Sequence, residues 1–346
     1  MNYENQALRA CLEVGKALTS TLEVRDILDL IMSKVSELID ADNWSLLLRD
    51  EHTGELSFEI AVGLRKEDLV GVRLQRGEGI AGHVAESGES VFLGELAGGN
   101  LQFSERVDRI TGFRTKSIAC VPMKIRDRVL GVIEVVNVRE MEAFREKYAP
   151  VLSILADYGA IAVENARLFE RIRRMAITDE YTGLFNARYL HDKLESLIEE
   201  ARLQGTSLAA AFIDMDNFKS VVDTHGHLLG SRVLSEVGQV MSSCLSPSDL
   251  LIKYGGDEFV LLMPGRGRHE AAALVDAVRR AVRAGTYLES VEAPVRLTAS
   301  FGIAVFPADA GTKRDLLSKA DQAMYRAKRS SKDCVVVYGD IKEEST

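Results

Sequence analysis

The sequence predicts a mixed α/β (α+β) chain of two domains joined by a long helix. Three observations predict it. At 346 residues the chain is long enough for two domains. Apolar runs of strand length alternate with helical periodicities in both halves. Between the halves, apolar residues repeat at heptad spacing over about 26 residues. The expected divisions are 1–150, 151–177 for the connecting helix, and 178–340.

Composition narrows the function. Hydrophobic residues make up 46% and charged residues 27%, as in a soluble globular protein. A net charge of -9 argues against broad binding of nucleic acid or a membrane surface, so an anionic substrate needs a local basic patch. Cys11, Cys120, Cys244 and Cys334 are scattered and form no CxxC pair, which suggests neither a zinc site nor a disulfide framework. No apolar run reaches the ~18 residues of a membrane span. The start, Met1-Asn2-Tyr3-Glu4, is polar and unlike a signal peptide. The expectation is a cytoplasmic protein without membrane insertion.

Residues 5 to 40 read as helix, with a break near Thr19-Ser20-Thr21. Trp44 to Leu48 reads as a buried strand, and Leu56 to Val62 alternates like a half-exposed one. Gly77 to Val84 is a turn followed by a helix. Ser117 to Ile125 and Val129 to Val138 form a hairpin around Arg126-Asp127-Arg128. With Gly79-Ile80-Ala81-Gly82, Val121-Pro122-Met123 and Leu130 through Asn137, this order resembles a GAF domain. The resemblance implies a six-stranded antiparallel sheet flanked by helices, and an unknown small-molecule or protein input. The cyclic-nucleotide signature of some members is not reproduced after Asn137. His83 stands alone, as structural histidines usually do.

The connecting helix is expected from about Pro150 to Met175. Its seam reads Val151, Leu155, Tyr158, Ala162, Asn165, Phe169, Ile172, Ala176, with steps alternating four and three. Such a seam pairs helices, and the polar Asn165 would fix register. Leu152, Ala156 and Val163 form a second stripe suited to the domain's own sheet.

In the second half, helices are expected at Ala187 to Arg202, Gly230 to Cys244, His269 to Ala284 and Arg314 to Lys328. Strands are expected at Leu208 to Ile213, Val295 to Val305 and Asp333 to Tyr338. The centre is Tyr254-Gly255-Gly256-Asp257-Glu258-Phe259, between two apolar runs of a hairpin at 250 to 263. Paired glycines permit positive φ and close approach of a ligand. The run Ala209 to Ile213 ends in Asp214. If those strands are neighbours, Asp214, Asp257 and Glu258 converge, and three carboxylates at one point call for cations.

Residues 175 to 340 resemble the GGDEF domains, or diguanylate cyclases. The resemblance rests on Thr178 through Asn186, Asp214 through Lys219, Gly226 through Gly230, the GGDEF tip, Ser300 through Ala304, and Ala320 through Lys328. It implies a mainly antiparallel sheet flanked by helices and a homodimer that condenses two GTP into a cyclic dinucleotide. It implies Mg²⁺ (or Mn²⁺) held by Asp214, the Met215 carbonyl, Asp257 and Glu258, with Asp214, Asp257 and Glu258 as the catalytic acids. Phosphates would meet Asn217, Phe218, Lys219, Gly255, Gly256, Lys328 and Lys332. Lys332 stands where the family usually carries Arg, which replaces a bidentate fork by a point charge.

Three departures follow from the same resemblance. The product-inhibition motif keeps its acid, Asp249, while Ser246 replaces its arginine. Val222 and Ser231 replace the Asn and Asp that read guanine. The chain is therefore expected to use GTP, with ATP as a second partner and cyclic GMP-AMP as an alternative product. A further alternative is a degenerate domain that binds nucleotide without turnover.

Overall fold

The structure is a computed structural model that describes residues 3–20, 23–63, 66–69, 71–95, 104–289 and 294–340. The chain divides into two compact units, Met1–Arg171 and Ile172–Thr346.

The first unit opens with α1 (Tyr3–Ser20), α2 (Val24–Leu38), β1 (Asn43–Arg49), β2 (Leu56–Val62), α3 (Lys66–Leu69) and β3 (Arg73–Leu74). It continues with α4 (Gly79–Ser87), β4 (Val91–Leu93), α5 (Arg106–Thr111), β5 (Ile118–Ile125), β6 (Arg128–Val136) and α6 (Met141–Lys147). Helix α7 (Ala149–Ile177) then runs into the second unit. The six strands form one sheet in the order β3-β2-β1-β6-β5-β4, antiparallel throughout. Period-two alternation gives the sheet two faces. Leu46, Ile133 and Val135 pack with Val14, Ile31, Leu152 and Leu155 from the long helices. Leu47, Val132 and Val136 pack with Ile80 and Val84 of α4.

The seam expected along α7 is buried or half-buried in its first half and exposed from Asn165 onward. Leu155 and Ala162 are buried in the unit's own core, as are Leu152, Ala156 and Val163. The large apolar residues left in solvent are Ile154, Ile161, Leu168, Phe169, Ile172 and Met175. Adjacent stripes on one helix have the same spacing, so sequence alone cannot say which one the sheet claims.

The second unit contains β7 (Phe185–Asn186), α8 (Ala187–Gln204), β8 (Leu208–Met215), α9 (Phe218–Ser243), β9 (Leu250–Gly255) and β10 (Glu258–Pro264). These are followed by α10 (Arg268–Ala284), β11 (Ala299–Phe306), α11 (Lys313–Ser330) and β12 (Val335–Val337). Strand order is β12-β11-β8-β10-β9-β7. The inner pairings are antiparallel, and the short edge strands pair in parallel. All eight residues of β8 are buried, since helices cover both faces. Val233, Val237, Val275 and Val278 of α9 and α10 cover one face, and Leu190, Leu194, Leu316 and Ala320 of α8 and α11 the other.

Two boundaries differ from expectation. Helix α9 begins twelve residues earlier than Gly230, because the chain turns back into helix at Phe218 and only kinks at Gly226, where φ is 78° and ψ is 168°. Val295 belongs to no strand and forms an isolated bridge to Tyr287, so β11 starts at Ala299.

Candidate active site

The site is built where β8 and β10 run side by side. Pairing places Asp214 opposite Glu258 on one side and opposite Ser300 on the other. Cross-strand partners lie about 5 Å apart at Cβ, so two carboxylates meet at the strand ends. Asp257 is beside them, and its carbonyl accepts a hydrogen bond from the Met215 amide at 3.3 Å. Asp214 is only 8% exposed. Burial pushes its carboxyl up to about 6, and the charges of Asp257 and Glu258 push the same way. Lys328 opposes them with an ion pair. Yet Asp214 Oδ1 is buried without an aligned hydrogen-bond donor.

That donor set suits a hard divalent cation: carboxylate oxygens of Asp214, Asp257 and Glu258, and the Met215 carbonyl. Among the described residues no three acids, histidines or cysteines are grouped so that they could hold a metal ion, so Asp214, Asp257 and Glu258 lie near one another without converging on one point as expected. Lys328 supplies the neutralising charge on Asp214 in the protein alone.

Lys328 is brought here by close packing of α11 on β11. A Cβ at Gly302 would fall 1.9 Å from the Met324 backbone nitrogen, so only glycine lets helix and strand approach this far. The loop after α11 carries Lys332 and Asp333 at φ 55° and 45°, left-handed values that are costly for such residues. It is held by Asp216, which accepts from the Asp333 amide at 3.0 Å, from Thr298 at 2.7 Å and from Ser300 at 2.8 Å. Lys332 thereby reaches the Asn217 side chain at 2.8 Å. Asn217 is itself left-handed and starts α9 without a side-chain cap. An uncapped helix N-terminus beside Lys332 and the exposed Lys219 is a ready anion site.

The Gly-Gly turn works differently from expectation. Neither Gly255 nor Gly256 has positive φ. A Cβ on Gly256 would meet nothing within 4 Å, and one on Gly255 would meet the Glu258 carboxylate at 3.5 Å. The glycines leave room rather than permit a special conformation. The turn is fixed by Lys253, a residue sequence reasoning missed. It is buried, and its ammonium donates to the carbonyls of Gly255, Gly256 and Glu258. Burial lowers its pKa, against the pull of Asp179, Asp257 and Glu258. A lysine two residues before Gly-Gly in an apolar run was the available signal.

A cleft of about 590 Å³ opens beside the turn, lined by Ser231, Lys253, Gly255, Gly256, Asp179 and Arg188 among others. Ser231 therefore faces a space of ligand size. Val222 does not line it; the residue packs against the core, next to Gly230. The Ser246–Asp249 turn is met by an arginine from elsewhere in the chain. Its arginine is missing from the motif, but Arg266 arrives from after β10. It donates to Asp249 at 3.0 Å and 3.2 Å, and to Ser246 at 3.3 Å. With the serine hydroxyl also bonded at 2.7 Å, the Asp249 carboxylate is fully engaged inside the protein.

Residues 176–334 match the family model "Diguanylate cyclase, GGDEF domain", and residues 23–163 match that of the GAF domain. Among curated proteins, the chain is 35% identical over 163 residues to the response regulator PleD of Caulobacter vibrioides, covering 47% of this chain and 36% of that protein. It is 28% identical over 264 residues to the diguanylate cyclase DgcP of Pseudomonas aeruginosa, covering 70% of this chain and 39% of that one. The chain thus spans under two fifths of the length of each. Among solved structures, the coiled coil and GGDEF domain of DgcB from Caulobacter crescentus, in complex with c-di-GMP, is 30% identical. It matches 53% of this chain and 96% of that one at a TM-score of 0.49. No described helix is long and apolar enough to cross a membrane. The chain carries a GAF domain over residues 23–163, followed by a GGDEF domain of the diguanylate cyclase family over residues 176–334.

Proposed function

We propose that the protein condenses two nucleoside triphosphates, GTP first among them, into a cyclic dinucleotide under control of its GAF domain. One observation carries this reading: Asp214 and Glu258 meet across β8 and β10, beside the uncapped start of α9. The 3′-hydroxyl of one nucleotide attacks the α-phosphorus of the other, a P–O bond forms and pyrophosphate leaves. The same step in reverse roles closes the ring. Lys219, Lys332 and the first amides of α9 hold the triphosphate. Asp214, Asp257, Glu258 and the Met215 carbonyl would hold Mg²⁺ or Mn²⁺, which supplies charge neutralisation and polarises the phosphoryl group. Lys328, which pairs with Asp214 in the protein alone, would be free to pair with a phosphate oxygen were a cation to neutralise that carboxylate. Lys253 keeps the turn in place throughout. Incubation with GTP and Mg²⁺ followed by product chromatography tests the reading. A chain that binds GTP and forms no cyclic product would instead be the degenerate signalling domain.

Base selection is relaxed in this reading, and the position of Ser231 in the cleft favours it. Guanine offers two adjacent donors, which a carboxylate pairs and adenine cannot match. A serine hydroxyl donates or accepts, so it faces either base. Mixed GTP and ATP is expected to yield cyclic GMP-AMP beside cyclic di-GMP. Ser231→Asp should restore use of GTP alone. Cyclic di-GMP as sole product from both proteins would refute the relaxed site.

Each reaction needs two nucleotide sites face to face, so the active form is a dimer. The exposed apolar stripe of α7 is the proposed seam: Ile154, Ile161, Leu168 and Met175 recur every seven residues, with Asn165 and Ile172 between them. Leu168→Glu is expected to shift the chain towards monomer in light scattering and to lower turnover by at least about tenfold, the factor that a loss of ~1.4 kcal/mol gives. An active monomer at micromolar concentration would contradict the seam.

A further inference from the structure

The first unit has a partly open cavity between its sheet and the α4/α5 side, with a volume of about 60 Å³. That is room for about four water molecules, or an organic molecule with about as many heavy atoms. Its floor is polar. Asn43, Ser45 and Glu134 lie on β1 and β6, with Ser45 directly opposite Glu134. Asn43 is 2% exposed, and its Oδ1 has no hydrogen-bond partner. The walls are apolar and include Phe58, Phe113, Ile80 and Val107.

The charge of this cavity is one-sided. Among the described residues that line it, none is Lys, Arg or His. It contains two carboxylates. Asp108 is satisfied by the Thr115 amide at 2.8 Å and hydroxyl at 2.7 Å. Glu134 makes no hydrogen bond or ion pair with any described group. Its side chain is partly buried and lines the cavity. The first residues of α4 line one wall and offer a partial positive charge of about one half. Glu78, immediately before them, carries an opposing charge that it shares with Arg106.

We infer that this cavity binds a small organic cation, an ammonium of a few heavy atoms, whose charge pairs with Glu134 and whose further donor meets Asn43 and Ser45. A partly buried carboxylate without a partner is costly, and a buried acceptor without a donor likewise. A ligand that donates to both removes both costs at once. Phe58 and Phe113 line the same cavity, where an aromatic ring attracts a cation. An anion the size of a cyclic nucleotide fits neither the volume nor the charge. The inference rests on the GAF domain being the sensory part of the chain.

Isothermal titration of the full chain at neutral pH tests it, with ethanolamine as the probe and glycolate as its anionic counterpart. Ethanolamine is expected to bind saturably at one site below about 10 mM, and glycolate not at all. Glu134→Gln should weaken ethanolamine at least tenfold. Ser45→Ala should weaken ethanolamine several-fold while leaving ethylamine unchanged, and it keeps the buried charge intact should the glutamine variant fail to fold. No binding of ethanolamine, equal binding by Glu134→Gln, or binding of glycolate would overturn the inference. Binding is read without turnover, so its failure leaves the cyclase reading standing, and an inactive cyclase leaves the cavity's ligand measurable.

Discussion

Asp214→Asn is expected to lower cyclic dinucleotide formation by about 10²–10³-fold, the scale on which removing one preorganised charge-stabilising group acts. The substitution keeps shape and removes charge. Glu258 and Asp257 then face a neutral amide across the strand pair, and the cation site loses its most buried carboxylate. The fold should tolerate the change. Burial already pushes the Asp214 carboxyl up to about 6, so its ionised form is held at a cost, partly offset by Lys328. The asparagine has no charge to desolvate, and Lys328, with a side chain 30% exposed, can turn to water. The melting temperature should therefore stay level or rise while turnover collapses. Asp257→Ala should lose turnover in the same way, with still less structural consequence, since Asp257 is only half-buried at a turn. Turnover within a few-fold of the parent in either variant would remove these acids from the mechanism.

Much of this site could be read from the residues because chemistry interrupts pattern there. Asp214 ends an apolar run that no folding argument would end with an acid, and Gly-Gly-Asp-Glu breaks a hairpin of Leu, Ile and Val. Lys253 was hidden by the opposite circumstance. It sits in a strand where lysine normally marks an exposed edge, and only the carbonyls of the turn reveal why it is buried. Asp216 was hidden as well, because its partners Thr298, Ser300 and Asp333 lie more than eighty residues away. Arg266 took the place of an arginine missing from a local motif, and spacing cannot foresee a side chain that arrives from another strand end. The first half of the seam on α7 is buried for a geometric reason. Leu155 and Ile154 both begin heptad stripes, and only packing on the sheet decided that Leu155 went inside.

Glu134 lies within the apolar run expected as a strand at Val129 to Val138, yet its side chain lines the cavity, and this sets the second large effect. Burial alone pushes its carboxyl from 4.5 up to about 7. The folded state therefore holds this proton more tightly than the unfolded chain does. Below about pH 4.5 both states are protonated and the residue costs nothing on this account. As pH rises towards 7 the unfolded chain gives up its proton first, and stability is lost progressively. Above 7 the full penalty applies, about 3 kcal/mol for a difference of that size. The charged groups that could moderate it are few. Asp108 of α5 is of like charge, and the Cys120 thiol, directly opposite on β5, is itself pushed up by burial and by Glu134. No lysine, arginine or histidine lines the cavity among the described residues. In the ligand-free chain, Glu134→Gln is therefore expected to raise the melting temperature of the first unit by roughly 5–10 °C at pH 8. At pH 5 the gain should largely vanish. The chain has a single tryptophan, Trp44 of β1, so fluorescence follows this unit by itself. A glutamine variant no more stable than the parent at pH 8, or one whose advantage persists undiminished at pH 5, would mean that Glu134 has a partner for its charge.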